Sequence, residues 1–301
     1  MLLHKIKATQ APIANRRPLP TAVPDLSRVF ALTNSDMEET LAFLKVRPVH
    51  TVVMTSFIND NGIESDLNRG TFYAYRNKRG ALEGVALIGH TTLVEARSAE
   101  SLQALAFTAR KSSKPIHIVM SEADDAERFW SYYSGGAREP RLTCTELLFE
   151  LSFPFLVQDC EWELRKATEA ELEQAAEAQA AIALLESGVD PMERDPEGFK
   201  KRVLRRIEQG RIFVVVENGK VIFKADIIAE TDDVAYLEGV YVAPEYRGQG
   251  IGSRCLAKLG LELLGRVERV CLLSNEEFTG AHRSYYRAGF KSTGKCTTLF
   301  A

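Results

Sequence analysis

Apolar and polar residues recur along the chain in two successive series, each of which begins with a strand pattern and continues with helical spacing. In the second series, Thr168 is followed three residues later by Glu171, which is the spacing of a capping box at the start of a long helix to about Leu185. The Asn218-Gly219 pair predicts a tight hairpin turn. The other predicted elements are a strand over 162–166, a helix over 196–209, strands over 211–216, 221–229 and 234–242, a helix over 250–264, a strand over 270–274, a helix over 278–288 and a strand over 291–300.

The first series has a similar order but a weaker pattern. Ser35 and Glu38 have capping-box spacing, and Met37, Leu41 and Leu44 recur at helical intervals behind them. This part therefore also predicts helices between strands. The predicted elements are a strand over 28–32, strands over 71–76 and 81–88 around a turn at 77–80, a helix over 98–110, a strand over 115–120, a helix over 124–133 and a strand over 142–151.

The length of 301 residues is long for one small domain and suits two domains of roughly 130 to 150 residues each. The start of the chain carries scattered prolines in place of the compact apolar segment of a signal peptide, so we expect an irregular arm. The predicted division is an arm over 1–26, a first domain over 27–152, a linker over 153–160 and a second domain over 161–301.

Composition narrows the possible partners. The formal net charge of −3 provides no global positive field for nucleic acid, and no apolar run approaches the ~20 residues of a membrane span. The cysteines number five and form no Cys-x-x-Cys pair, which argues against a disulfide framework and favours a reducing cytoplasm. The histidines are scattered without metal-ligand spacing, so we expect no metal.

Three alternating glycines, at positions 248, 250 and 252, mark the junction between the strand over 234–242 and the following helix. Glycine lets the backbone approach a ligand closely, and the first turn of a helix has free N–H donors at the positive end of its dipole. Together these features predict an anion site suited to a diphosphate, with Arg247 as an anchor or an added charge.

Two other interpretations of this loop remain open. In the first interpretation, the loop is a flexible strand-to-helix connection, although such a connection seldom needs three glycines. In the second interpretation, the loop is a dinucleotide-binding fingerprint. That fingerprint requires Gly or Ala at the position of Ser253, and it normally lies in the first strand–helix–strand unit of a parallel sheet. A Walker loop is excluded because Gly-Lys-Ser/Thr is missing.

The stretch VYVAPEYRGQGIG resembles the acetyl-CoA motif of the GNAT (Gcn5-related N-acetyltransferase) superfamily, and SYYRAGF resembles the Tyr-x-x-x-Gly-Phe motif near the end of that domain. The resemblance covers nearly half of the chain, from about Glu161. It implies an α+β fold of two GNAT-like domains in tandem, each a mixed, mostly antiparallel sheet flanked by helices. The first domain resembles a degenerate copy of the second. We expect its equivalent of the glycine loop at 89–93, where the sequence has no glycine series.

The resemblance implies acetyl-CoA as co-substrate and assigns residues to it. The strand over 234–242 splays from its neighbour and offers its backbone to the acyl carbonyl and pantetheine. Many relatives also carry an Asn where this chain has Phe278, and Asn275 is the candidate replacement. The implied cofactor-binding residues are Val240, Tyr241, Val242, Arg247, Gly248, Gln249, Gly250, Ile251, Gly252, Ser253 and Asn275.

Two residues are candidates for the chemistry. By the period of two, Glu238 shares a strand face with Val240 and Val242, and a carboxylate among apolar neighbours is costly to bury without a partner or a function. It is either a general base, acting directly or through water, or a solvated strand residue or ion-pair partner. Tyr285 lies four residues before Gly289, where the family often places the tyrosine that protonates the departing thiolate; the adjacent Tyr286 is the alternative.

Two classes of function follow. The first is an N-acetyltransferase that acts by direct attack of a primary amine of a small molecule or peptide, in a monomer or homodimer without nucleic-acid or membrane partners. The second is a CoA-binding sensor or pseudoenzyme without turnover. The loop over 190–195 is acidic on balance and mildly favours a cationic acceptor.

Overall fold

A computed structural model describes residues 24–301. The predicted arm over 1–26 lies outside the described residues, apart from its last three positions. The first half comprises β1 Val29–Ala31, α1 Met37–Lys45, α2 Pro48–Asn61, β2 Gly70–Arg76, β3 Leu82–Gly89, β4 Thr91–Ala96, α3 Ala99–Lys111, β5 Ile118–Glu122, α4 Asp125–Ser134 and β6 Leu142–Leu151.

The second half repeats this order with one additional short helix. It comprises β7 Arg165–Lys166, α5 Leu172–Ser187, α6 Pro191–Arg194, α7 Pro196–Glu208, β8 Ile212–Glu217, β9 Lys220–Glu230, β10 Val234–Val242, α8 Ile251–Leu263, β11 Arg269–Asn275, α9 Thr279–Arg287 and β12 Lys291–Phe300. No helix in the described part of the chain is both long and apolar enough to cross a membrane.

The predicted capping boxes have different outcomes. Thr168 and Glu171 form the reciprocal hydrogen bonds of a capping box, as predicted. In the first half the box is formed by Thr33 and Asp36, so the prediction of Ser35 with Glu38 was wrong. A short 3₁₀ turn over Asn34–Asp36 precedes α1 and moves the cap two residues towards the N-terminus.

The strands described between residues 24 and 301 join one mixed sheet of twelve strands in the order β1-β2-β3-β4-β5-β12-β6-β11-β10-β9-β8-β7. Its parallel pairs are β4 with β5 and β10 with β11, and the remaining pairs are antiparallel. The predicted α+β class with a mixed, mostly antiparallel sheet is therefore confirmed.

The two halves exchange their last strands. β12, at the end of the chain, lies between β5 and β6, and β6 in turn lies between β12 and β11. Each half therefore completes its sheet with a strand from the other. The division into domains over 27–152 and 161–301 stays a prediction, because the sheet continues across it without a break.

Helices cover both faces of the sheet in the second half. Ala235 and Leu237 of β10 pack in the core beneath α8, whereas the alternate residues Val234 and Tyr236 pack with residues of α2 on the opposite face. α5 and α7 form a further cluster with the strands β8 and β9. A helix of the first half thus covers strands of the second half.

Polar contacts fasten the C-terminal end of α2 to the second half. Arg211 donates two hydrogen bonds to Asp60 at 2.6 and 2.9 Å, and Arg205 donates one to Asn61 at 2.9 Å. These contacts fix α2 over the sheet where the two halves meet.

Candidate active site

The glycine loop forms the predicted strand-to-helix junction. Gly248 and Gly250 have left-handed φ angles of 80° and 87°, which side chains other than glycine rarely adopt. Arg247 anchors the loop, because its Nε donates to the carbonyl oxygen of Val242 at 3.0 Å. Gln249 holds it from the other side by donating to the carbonyl oxygen of Glu245 at 3.1 Å.

The start of α8 fits an anionic ligand. No side chain caps the helix at Gly250, so the amides of Ile251, Gly252 and Ser253 in its first turn have no side-chain acceptor there. A Cβ added at Gly248 would meet no atom within 4 Å, which leaves open space above the loop. A diphosphate in that space would meet exposed backbone donors at the positive end of the helix.

β10 and β11 separate beside this loop. Their parallel pairing runs from Val234 with Arg269 to Leu237 with Leu272 and then stops. β10 continues to Val242 along β9, and β11 continues to Asn275 along β6, so a gap opens between the two strands. Val240, Tyr241 and Val242 border this gap and are partly buried.

A β-bulge interrupts β10 at the gap. Glu238 lies opposite Asp226 and Tyr241 opposite Lys224, so three steps along β10 match two steps along β9. Glu238 therefore shares a face with Tyr241, and Val242, opposite Phe223, lies on the other face. The expectation that Glu238 shares its face with Val242 was wrong, because the extra residue of the bulge breaks the period of two.

Buried charges hold the bulge in place. Gly239 has a φ of 61°, and a Cβ there would lie 2.3 Å from Gln179 Oε1, so only glycine fits. The fully buried Lys224 lies 2.6 Å from Asp226 and donates to Gln179 at 2.7 Å and to the carbonyl of Gly239 at 3.3 Å. Arg206 donates to Asp226 at 3.1 Å. This network fixes the backbone that carries Glu238.

The carboxylate of Glu238 accepts a hydrogen bond from a tyrosine side chain. The hydroxyl of Tyr236 donates to Glu238 Oε1 at 2.9 Å. Burial raises the pKa of Glu238, whereas the Tyr236 hydrogen bond and the positive charge of Arg206 counteract part of that rise. A buried carboxyl with a raised pKa is the kind of group that accepts a proton near neutral pH.

Two further carboxylates lie near Glu238 and were not predicted. Glu146 lies on β6, where burial and the charge of Glu238 raise its pKa to about 7 against the opposing hydrogen bond from Thr298. Glu186 is an exposed residue at the end of α5, where partial desolvation of its carboxyl and the charges of Glu238 and Glu146 raise its pKa to about 8. No local pattern in the sequence indicates this group, because its members lie far apart along the chain.

Tyr285 and Tyr286 have different surroundings on α9. Tyr285 is buried, packs edge-on against Phe149 at 5.3 Å and interacts with the hydroxyl of Ser274 at the gap side of β11. Burial raises its pKa to about 12, so the phenol keeps its proton. Tyr286 is 53% exposed. Of the two, Tyr285 is the phenol next to the gap.

The Asn275 side chain is occupied within its own loop. Its Oδ1 accepts from the backbone N–H of Glu277 at 2.9 Å, and its carbonyl oxygen lies 3.0 Å from His282 Nε2. Phe278 precedes the first residue of α9. The predicted contact of Asn275 with pantetheine stays a prediction.

The first half lacks an equivalent loop. β4 connects to α3 through Arg97 and Ser98 alone, and the Ser98 hydroxyl accepts from the Ser101 amide at 3.1 Å. The predicted loop position over 89–93 was wrong, because these residues form the end of β3 and the start of β4. A serine cap therefore stands where the second half has glycines.

An ion-pair network lies at the corresponding gap of the first half. Parallel pairing of β4 with β5 ends at Leu93 with Met120, and beyond it Arg47 contacts both Glu95 and Glu122. Glu95 is only 4% exposed. Between residues 24 and 301, no group of three or more His, Cys, Asp or Glu side chains is arranged to hold a metal ion.

Part of the second half matches a known protein family. Residues 208–292 match the family model of the acetyltransferase (GNAT) domain. A search of curated protein sequences gives no significant match. The matched range includes the glycine loop, β10, β11 and α9, whereas Glu146 and Glu186 lie outside it.

Several solved structures share the fold of most of the chain. A Drosophila protein has a TM-score of 0.66 at 15% identity, covering 91% of this chain and 98% of its own. A GNAT-family acetyltransferase from Colwellia psychrerythraea has a TM-score of 0.57 at 14% identity, covering 91% and 99%. A tandem GNAT protein from the clavulanic acid biosynthesis pathway has a TM-score of 0.54 at 13% identity, covering 91% and 97%. At these identities the likeness concerns the fold.

Proposed function

The chain carries a GNAT acetyltransferase domain and has the tandem GNAT fold, and from this premise we propose that it transfers an acetyl group from acetyl-CoA to a primary amine. The observation that carries the proposal is the gap between β10 and β11. The uncapped start of α8 lies at one side of this gap, and the partly buried carboxyl of Glu238 faces the other. Donor and acceptor therefore approach from opposite faces of the sheet.

In the proposed reaction, the thioester of acetyl-CoA supplies the acyl group. Glu238 takes a proton from the ammonium of the acceptor, directly or through a water molecule. The amine nitrogen then bonds to the acyl carbon, the carbon–sulfur bond breaks, and the nitrogen releases its second proton to solvent to leave a neutral amide. Backbone amides over 240–242 stabilise the negative charge on the carbonyl oxygen. Tyr285 donates its proton to the leaving sulfur and regains one from solvent.

The glycine loop and the first turn of α8 together would hold acetyl-CoA. Amides from Gly248 to Ser253 would bind the diphosphate, and Arg247 keeps the loop attached to β10 through the Val242 carbonyl. The five cysteines form no disulfide, which fits our proposal that the protein works in the cytoplasm.

Release of free thiol from acetyl-CoA, measured against a panel of primary amines, tests the proposal. We expect amine-dependent thiol release and a product heavier than the acceptor by one acetyl group. The replacement of the family's Asn by Phe278 favours one alternative, a CoA-binding module without turnover. CoA binding without thiol release for any amine would favour that alternative, and stabilisation by NAD but not by CoA would contradict both.

Replacing Tyr285 with Phe is expected to lower kcat by about 10- to 100-fold, because the leaving thiolate loses its proton donor. The buried ring keeps its packing against Phe149 in this variant, so the fold is retained. Tyr286→Phe is the matched control, because the exposed neighbouring phenol has no proposed role. Steady-state kinetics at saturating acetyl-CoA measure the difference. Equal losses in the two variants would exclude Tyr285 as the acid.

The carboxylates near Glu238 predict a pH-dependent KM for the amine. The pKa values of Glu146 and Glu186 are raised to about 7 and about 8, so both groups become negative as pH rises through that window. KM for a cationic amine is therefore expected to fall between about pH 6 and pH 9.

Replacing Glu186 with Gln removes the upper part of this fall, because only the group with the lower pKa still titrates. Glu177→Gln, on the exposed side of the same helix, is expected to leave the profile as in the wild type. KM measured at closely spaced pH values decides the matter. A profile that is flat in the wild type, or unchanged in Glu186→Gln, would contradict an acidic acceptor cleft.

A further inference from the structure

A cavity lies between α2 of the first half and the shared sheet. It offers about 70 Å³ of space to a water-sized group, which is room for several water molecules or a slender alkyl chain. Its apolar wall comes from both halves of the chain and includes Val52, Met54, Leu93, Met120, Leu148 and Leu273.

One end of the cavity adjoins the proposed catalytic carboxylate. Tyr236 forms part of the wall, and its hydroxyl donates to Glu238 at 2.9 Å. Leu148, also in the wall, lies two residues after Glu146 on β6 and therefore on the same face of the sheet. Cys296 in the wall is the cross-strand partner of Glu146. The cavity wall therefore includes residues that bond to Glu238 or pair with Glu146.

The other end of the cavity is polar, with its positive charge neutralised. Arg47 is held by Glu95 and Glu122, and Asp125 and His50 line the same end. Burial raises the pKa of Glu95 and Asp125 and lowers that of His50. An acceptor with its own carboxylate would therefore meet no uncompensated cation in this wall.

We propose that the acceptor is a primary amine with an uncharged apolar body, which occupies the cavity beneath α2 while its amine reaches Glu238. The inference rests on the proposed acetyl transfer and adds the class of acceptor. It also gives the first half a role, because α2 and β4 supply one side of the acceptor site.

A series of n-alkylamines from ethylamine to hexylamine tests the proposal with the full-length protein. Each buried methylene is expected to raise kcat/KM about threefold to fourfold, or on the order of 100-fold over the series. Spermidine and phenylalanine serve as comparisons, because the first lacks an apolar body and the second carries a carboxylate. A flat series, or either comparison compound as a better acceptor than hexylamine, would overturn the proposal.

Filling the cavity provides a second test. Leu273→Trp is expected to reduce the hexylamine-to-ethylamine ratio of kcat/KM to about 1, because the indole occupies space next to the carboxylates. Val53→Phe is a smaller change that narrows the same cavity from α2, and it replaces Leu273→Trp if the tryptophan variant does not fold. It is also expected to lower the hexylamine-to-ethylamine ratio. Leu156→Trp is the control, since this side chain is 79% exposed in the connector. Retention of the wild-type ratio in folded cavity variants would contradict the inference.

Calorimetric binding of the same amines separates this inference from the proposed catalysis. If no amine is acetylated, tighter binding of hexylamine than of ethylamine, lost in Leu273→Trp, still supports the cavity as an amine site. Equal binding of the two amines would reject it. Amine-dependent thiol release without any chain-length dependence would leave acetyl transfer standing and reject the apolar acceptor.

Discussion

Replacing Gly248 with Asp is expected to lower the affinity for CoA by about 100-fold, an effect of roughly 2.8 kcal/mol. Asp is among the residues that tolerate left-handed backbone best, so it is strained less at a φ of 80° than most other side chains would be. A negative charge near the start of α8 also suits the helix dipole. The fold is therefore preserved while a like charge opposes the diphosphate. Isothermal titration with CoA measures the loss.

A matched control exists in the turn between β2 and β3. Gly80 has the same φ of 80°, and a Cβ added there also meets no atom within 4 Å. Gly80→Asp thus makes the same backbone demand far from α8, and we expect CoA affinity equal to that of the wild type. Similar affinities for Gly248→Asp and Gly80→Asp would show that CoA does not bind at the glycine loop.

Replacing Glu238 with Gln is expected to lower kcat by about 10²- to 10⁴-fold, with CoA affinity unchanged. The amide has nearly the same shape as the carboxylate and still accepts the hydrogen bond from Tyr236, so the bulge and its buried network remain. Only the capacity to take a proton from the ammonium is lost. Single-turnover kinetics that start from the preformed complex with acetyl-CoA measure this step directly.

Glu230→Gln is the control for this variant. Glu230 lies at the other end of the β9–β10 pair and is bound by Arg266, so its change is expected to leave kcat within about twofold of the wild type. Comparable kcat values for the wild type and Glu238→Gln would exclude Glu238 as the general base. A different group would then have to accept the proton from the ammonium of the acceptor.

Local sequence signals predicted most of the second half. The bounds of β10 and β12 were predicted to the residue, and the Asn218-Gly219 turn and the capping box at Thr168 formed as expected. These features depend on residues close together along the chain. The glycine loop likewise needs only a strand, three glycines and a helix start.

The first half was harder to predict because its elements are buried on several sides. α2 was missed: Pro48 begins it, but apolar and polar residues are spread around it, since it contacts the sheet of both halves. β4 was missed because its buried residues between Thr91 and Ala96 show no alternation and directly follow β3. Burial on more than one side removes the periodicity that sequence analysis uses.

Non-local features of the site could not be predicted at all. The exchange of β6 and β12 depends on pairing between residues more than a hundred positions apart. This pairing is what brings Glu146 next to β10. The bulge at Gly239 depends on Lys224 and Gln179, which lie on other elements. The local sequence around Glu238 therefore suggested the wrong face.

An NMR titration of the full-length protein with CoA tests the central claim most directly. The account predicts saturable shifts of the backbone amides from Gly248 to Ser253 and of those over 240–242, with the amides around Arg97 and Ser98 unchanged. Absence of shifts at the glycine loop, or saturable shifts confined to the first half, would contradict a diphosphate site at the start of α8.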